Sequence, residues 1–199
     1  LSLLLKKNDI DNIILEKNTA LHVANRIRAG ILEPGTVKIL KKAGIGKRLS
    51  KEGIRHNGFN ISFNDHIYHI NMKKLANDTV MVYGQTEVTK DLMDKLTEIN
   101  AKIFYKANNI KILDITKPKI EFIHNSKKIK INSQFIVGCD GYHGITKNFI
   151  PKNIKKIYEK EYSFAWLGLL SDTKPISSEL IYINNNNGFG LCSMRSKTR

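Results

Sequence analysis

The sequence predicts a mixed α/β chain. Its βα units come first, antiparallel strands are inserted, and a second, mostly β region follows. Three observations predict this. A short apolar run closed by an acid, Asn12 to Lys17, comes directly after a segment with the marks of a helix end. Helical spacing of apolar residues recurs ahead of later strand-like runs. Branched and aromatic residues then fall into short runs separated by turn residues from 101 onward.

Taken in order, Leu1-Ser2-Leu3-Leu4-Leu5-Lys6-Lys7 reads as the last turns of a helix, with two lysines favourable at its C-terminus. The run lacks the charged leader of a signal peptide. At the other end, Ser196 to Arg199 follows an apparent strand with no closing element, so the chain reads as an internal fragment truncated at both ends. Ile13-Ile14-Leu15 suits a buried parallel strand with Glu16 at its tip. Thr36 to Ala43 has helical spacing (Val37, Ile39, Leu40, Ala43) and stops at Gly44, a C-cap. Phe59 to Phe63 and Ile67 to Ile70 form a hairpin about Asn64-Asp65. Thr86 to Ile99 is the strongest amphipathic helix, with Val88, Leu92, Met93, Leu96 and Ile99 on one face. Ala101 to Tyr105 is a strand, and Ile110 to Ile115, Lys119 to His124 and Lys128 to Ile131 form a meander. Gln134 to Gly138 is a second buried strand. Tyr162 to Leu170, Leu180 to Ile183 and Gly190 to Met194 complete the β region, with Asn184 to Gly188 as a turn.

Composition excludes several classes. The chain is 41% hydrophobic and 26% charged, inside the range of folded domains. No apolar run reaches the ~18 residues of a membrane helix. Two cysteines, Cys139 and Cys192, exclude a disulfide framework and read as reduced, buried residues. His66 and His69 lack a third ligand at metal spacing, so no metal site is expected. The net charge of +15 comes from 27 Lys and 6 Arg, spread along the whole chain beside 28 Ile and 20 Asn. A nucleic-acid surface more often concentrates Arg among aromatics on one face. A solvated Lys-rich surface is therefore preferred, with a nucleic-acid-binding module as the alternative from a different class.

Several motifs carry chemistry. Glu16, at a strand tip, can accept from both ribose hydroxyls of an adenine dinucleotide, as any strand-end acid can also simply be solvated. Arg26 and Arg28 ahead of Gly30 suit a loop that holds a pyrophosphate, or an ordinary exposed turn. In Tyr83-Gly84-Gln85-Thr86-Glu87-Val88, Thr86 can cap the following helix and Gln85 can face a ligand over its start. Gly138-Cys139-Asp140-Gly141-Tyr142-His143-Gly144 lies just past a predicted strand, where α/β sheets present ligand-binding loops. Tyr182, Ser193 and Arg195, on neighbouring predicted strands, can hold a small aromatic acid: the carboxylate on Arg195 and Ser193, a phenol oxygen on Tyr182. Taken singly, a surface Tyr and Arg would look the same. The mixture suggests a nucleotide-binding domain with inserted strands.

Together these motifs, with Trp166-Leu167-Gly168-Leu169-Leu170 and Leu180-Ile181-Tyr182, occur in the order and spacing of the single-component flavoprotein aromatic hydroxylases that act on 4-hydroxybenzoate. The chain resembles roughly the first half of that family over its full 199 residues. The resemblance implies a glutathione-reductase-like FAD-binding domain (1–56 and 83–155) interleaved with a β-rich substrate domain (57–82 and 156–199). It implies FAD held by Glu16 at the ribose, by Arg26, Ile27, Arg28, Ala29, Gly30 and Ile31 along the pyrophosphate loop, and by Gln85. The Asp140-Gly141 loop, with His143, would serve FAD and the nicotinamide cofactor. Lys17 can attract a 2′-phosphate, which favours NADPH over NADH. Tyr182 would bond the substrate phenol, Ser193, Met194 and Arg195 would form the carboxylate pocket, and His56 would belong to a proton relay. The implied reaction is hydroxylation of 4-hydroxybenzoate to 3,4-dihydroxybenzoate with O2, through a flavin C4a-hydroperoxide. A related hydroxylase of another phenolic acid is the alternative. A homodimer in the cytoplasm, without nucleic-acid or membrane partners, and an isolated fragment that is inactive are also implied. One departure stands out: Ile145-Thr146-Lys147 replaces the family's usual Ser and Arg.

Overall fold

In a computed structural model, which describes residues 1–196 and 198, the chain opens on α1 (Ser2–Lys6), β1 (Ile13–Leu15) and α2 (Ala20–Asn25). There follow β2 (Ile31–Leu32), α3 (Pro34–Ala43), α4 (Gly46–Glu52), β3 (Ile54–His56), β4 (Phe59–Phe63) and β5 (His66–Ile70). Next come α5 (Met72–Ala76), β6 (Val80–Val82), α6 (Gln85–Glu98), β7 (Lys102–Phe104), β8 (Asn108–Asp114), β9 (Lys119–His124) and β10 (Lys127–Asn132). A 3₁₀ turn at Thr146–Phe149 precedes β11 (Leu180–Asn185) and β12 (Gly188–Cys192). Lys197 and Arg199 lie outside the described residues.

The chain divides into two units. The first comprises Leu1–Ile13, Ala20–Lys102 and Leu169–Arg199. Its helices meet around Leu3, Leu32, Leu40, Ala43, Ile45, Leu49, Tyr83 and Val88, with Leu92, Leu96 and Ile99 of α6 packed on them. The predicted faces of α3 and α6 are thus the buried ones. Pro34 starts α3, and Gly44 ends it in the left-handed conformation at φ 91°, where a side chain would be strained. Two sheets belong to this unit, in the orders β12-β11-β4-β5 and β2-β6-β3. The β4–β5 hairpin turns at Asn64 and Asp65, both with positive φ (49° and 58°). Asn and Asp tolerate that region best after glycine, which is why the pair marks the turn in sequence. β11 pairs parallel with β4 and antiparallel with β12.

The second unit comprises Ile14–Thr19 and Ile103–Gly168. The predicted meander is its body, in the order β10-β9-β8. Phe122 is its fully buried centre, and the Phe104 ring meets it edge-on at 5.2 Å. β1 pairs with β7.

Four expectations are corrected. Gln134 to Gly138 is not a strand, and Phe135 and Val137 are exposed. Tyr162 to Leu170 is likewise irregular and exposed. Among the described residues neither segment has a neighbouring strand to take its N–H and C=O groups, without which branched residues alone do not make a strand. β1 forms where predicted but is only half-buried, since β7 is its sole partner among the described strands. Cys139 is exposed rather than buried, because the strand meant to bury it is absent; both cysteines are free.

Candidate functional site

Tyr182 lies mid-way along β11, and its strand register places it. In the parallel pair, Leu180 sits opposite Phe59 and Tyr182 opposite Ile61. Side chains two apart share a face, so these four point together to one side of the sheet. They line a cavity of 390 Å³, completed by Ile31, Met72 and Val80. The Tyr182 ring meets Phe59 edge-on, with centroids 5.6 Å apart. Its hydroxyl is the one polar side-chain group among the seven lining residues.

His56 ends β3 and pairs across the strands with Val80, one of the cavity's lining residues. Cross-strand partners share a face, so His56 lies on the side of the sheet that Val80 turns to the cavity. The imidazole is fully buried, and neither ring nitrogen has a hydrogen-bond partner. Burial disfavours the imidazolium and pulls its pKa below the ordinary histidine value; the negative charge of Glu179 opposes this without reversing it. A buried imidazole with two unpaired nitrogens is costly to keep unless something uses it.

Glu179 is a residue that the sequence reading passed over. One carboxylate oxygen accepts from the backbone N–H of Asn57 (2.7 Å) and of Gly58 (2.9 Å). The other is 2.8 Å from His69 Nε2. Partial burial would raise its pKa, but the bonds from His69, Gly58 and Asn57 outweigh that and hold it below the usual carboxylate range. The signal available in sequence was an acid directly ahead of a strand in a chain with 18 acids against 33 bases.

The Arg26 to Ile31 loop and the start of α6 come together in the same unit. Tyr83 N–H donates to Gly30 C=O at 2.7 Å. A Cβ at Gly30 would stand 3.0 Å from Gly84 Cα and would meet the Arg195 guanidinium, so a side chain there would press on the Gly84 backbone and displace Arg195. Arg26, Ile27, Arg28 and Ala29 are exposed along the loop, while Ile31 reaches the cavity. The helix cap differs from expectation. Gly84, not Thr86, is the N-cap, and no side chain caps the helix; Thr86 already lies inside its first turn. Gln85 is the first helical residue, and Glu87 lies in the first turn as expected.

A second group missed in sequence fixes this start. Arg48 on α4 bonds Glu87, Asp91 (2.8 Å) and Glu52 (3.2 Å). Tyr83 O–H donates to Asp91 at 2.8 Å, and its pKa is pushed up by burial and then by that bond. The acids of α6 thus anchor the loop before it, through Arg48 and Tyr83.

Ser193, Met194 and Arg195 follow β12 directly and are half-buried. Ser193 O–H points to Met194 C=O at 3.4 Å. In the second unit, Glu16 accepts from Asn18 N–H (2.7 Å) and Asn18 Nδ2 (2.9 Å), while its backbone is tied to Phe104 and Ala107. A carboxylate accepts about four bonds, so Asn18 does not exhaust it. Lys17 beside it is exposed. Asp140 turns into its own loop and accepts from Thr146 N–H (2.9 Å) and Thr146 Oγ1. Desolvation would raise its pKa, yet these bonds hold it below the usual range. Thr146 is thus the partner that closes this loop. Gly141 has φ 68°, and His143 is exposed.

Dinucleotides need backbone they can lie against, cations on a loop and the open start of a helix. The first unit offers all three: the Gly30–Gly84 approach, the exposed Arg26 and Arg28, and the fourteen-residue α6. Among the described residues no group of three or more His, Cys, Asp and Glu is placed to hold a metal, and no helix is long and apolar enough to cross a membrane.

A family described as FAD binding domain matches residues 1–199. A curated p-hydroxybenzoate hydroxylase of Acinetobacter baylyi is 43% identical over 198 residues, which is 98% of this chain and 49% of that protein. The chain therefore spans about half the length of this curated relative. Among solved structures, the flavin-dependent halogenase CmlS superposes at a TM-score of 0.72 with 15% identity, covering 99% of this chain and 37% of the other. PqsL of Pseudomonas aeruginosa, a probable FAD-dependent monooxygenase, superposes at 0.66 with 12% identity, covering 91% and 49%. At such identities these two show the fold alone.

Proposed function

Since the chain belongs to the FAD binding domain family, with FAD as its cofactor, we propose that it is the FAD- and phenol-holding part of an aromatic hydroxylase that converts 4-hydroxybenzoate to 3,4-dihydroxybenzoate. NADPH and O2 are the proposed co-substrates, and a homodimer in the cytoplasm the proposed form. The observation that carries the reading is Tyr182, the one residue with a polar side-chain group among the seven that line a 390 Å³ apolar cavity. A benzene ring fits such walls, and a para-phenol oxygen needs one polar partner there. The 43% identity to a p-hydroxybenzoate hydroxylase supports the same substrate.

The parts would work as follows. Arg28, Arg26 and the backbone of Gly30 hold the pyrophosphate of FAD, Gln85 lies at its ribityl side, and Glu16 takes the adenosine ribose. The Asp140-Gly141 loop with His143 faces FAD and the nicotinamide cofactor, and Lys17 favours a 2′-phosphate. FAD, when bound, supplies the hydride acceptance and oxygen activation that side chains lack. Arg195, with Ser193 and Met194, holds the substrate carboxylate and so fixes which ring carbon is presented. Tyr182 O–H donates to the phenol oxygen and favours the phenolate, which enriches the neighbouring ring carbon in electrons. His56, neutral in its buried setting, takes up the phenol proton within a relay to solvent. The sheet that joins β4–β5 with β11–β12 supports these four strands as parts of one substrate domain, proposed as 57–82 and 156–199 and interleaved with an FAD domain of 1–56 and 83–155; the two compact units divide the chain elsewhere, with 103–168 grouped apart from 20–102.

The test is Tyr182→Phe in the full-length, FAD-loaded protein. It should bind 4-hydroxybenzoate yet form at least roughly tenfold less product per NADPH oxidised, the scale of a lost bond to a charged group. An unchanged product yield would overturn the role of Tyr182.

A further inference from the structure

Glu179 stands at a junction that the proposed chemistry does not use. Its bonds to Asn57 N–H, Gly58 N–H and His69 Nε2 tie together three segments: the turn after β3, the β4–β5 hairpin and the head of β11. The side chain is only 18% exposed. Gly58 is the residue this closeness demands, because a Cβ there would collide with Ile70 C=O and stand 2.7 Å from His69 Nε2. Asn57 C=O accepts from Lys73 N–H, which secures the turn from its other side. His56 immediately precedes this turn, and Tyr182 lies three residues beyond Glu179. β4 and β11 pair parallel, so no hairpin sets their register. The Glu179 bonds to residues 57 and 58 sit at the start of that ladder, directly ahead of the Phe59–Leu180 pair.

We propose that Glu179 is a positioning residue of this site: its carboxylate locks the turn after His56 to the head of the Tyr182 strand and turns a negative charge towards the buried imidazole, with His69 bonded to its other oxygen. The catalytic consequence rests on the reading of His56 and Tyr182 given above; the clamp itself does not. The other ionisable groups on the elements about it are Arg55 on β3, His66 and Tyr68 on β5, Lys73 and Lys74 on α5 and Tyr182 on β11; β4 carries none. Glu179 is held below the usual carboxylate range and stays charged while a histidine titrates.

The experiment is a pH titration of the His56 ring by histidine-labelled NMR in the full-length protein, for wild type, Glu179→Gln and His69→Gln. In Glu179→Gln the amide keeps an oxygen for the two backbone donors and loses the charge. His56 should then titrate lower by roughly half a pH unit or more, because a nearby opposite charge favours the ionised form. His69→Gln leaves the Glu179 charge in place, so His56 should not titrate lower. A fall in Glu179→Gln without one in His69→Gln is not what a loosened structure gives. An unmoved midpoint in Glu179→Gln, or an equal fall in His69→Gln, overturns the proposal. If Glu179→Gln does not fold, Glu179→Asp decides: it keeps the charge, so a midpoint within roughly half a pH unit of wild type upholds the proposal and a larger fall overturns it. A wild-type protein that forms no dihydroxybenzoate would refute the proposed reaction, while the titration would still decide the role of Glu179.

Discussion

Strand β11 and the tract from Tyr162 to Leu170 are alike in sequence and opposite in structure. Both are rich in branched and aromatic residues, and both read as strands. β11 has β4 on one side and β12 on the other, so its backbone groups are paired and Leu180 is only 3% exposed. The 162–170 tract has no strand beside it among the described residues, and Leu167 is 85% exposed. β propensity describes side chains suited to a pleated, half-covered surface; the neighbour that covers them is a separate requirement. Gln134 to Gly138 repeats the lesson, since a run centred on Phe135, Ile136 and Val137 does not form a strand where no ladder receives it.

The comparison can be broken most forcefully at Leu180. Leu180→Ala removes buried atoms from the sheet face it shares with Phe59 and Ile61 and should cost about 2–5 kcal/mol in urea unfolding. A cost near zero would mean that the β4–β11 sheet is not the structural centre described. Gly30→Ala comes next. Its methyl group would occupy the place of the Arg195 guanidinium, and KM for a carboxylate-bearing phenol should rise roughly tenfold, with little change for its uncharged analogue. Equal effects on both would separate Arg195 from carboxylate recognition. Ile67→Ala sharpens the contrast from the other end. Ile67 lies on the same sheet as Leu180 but is 67% exposed, and the change should stay within about 0.5 kcal/mol by the same unfolding measurement.

What was legible in the sequence was local. Gly44 as a C-cap, Asn64-Asp65 as a hairpin turn, the apolar face of α6 and the three strands of the meander are each written in short stretches of neighbouring residues, and each forms. What was not legible depends on partners distant in the chain. Glu179 acquires its role only when β11 pairs with β4, which brings residues 57 and 58 to it from 122 and 121 positions away. Arg48 gains its partners Glu87 and Asp91, 39 and 43 positions away, only because α4 meets α6. Thr86 failed as a cap for a smaller reason: the helix begins earlier, on Gly84, and so takes Thr86 inside. The candidate residues of the first unit were chosen by type and spacing, and two of their meetings could not have been read that way. Arg195 packs over Gly30, and the strand partner of His56 lines the cavity of Tyr182.

The most direct measurement is the stoichiometry of the full-length, FAD-loaded protein with 4-hydroxybenzoate. NADPH oxidised and 3,4-dihydroxybenzoate formed would be counted in the same reaction. Close to one dihydroxy acid per NADPH is expected, with NADPH oxidation accelerated by the substrate. Oxidation at the same rate with and without the phenol, and no dihydroxy product, would overturn the proposed reaction.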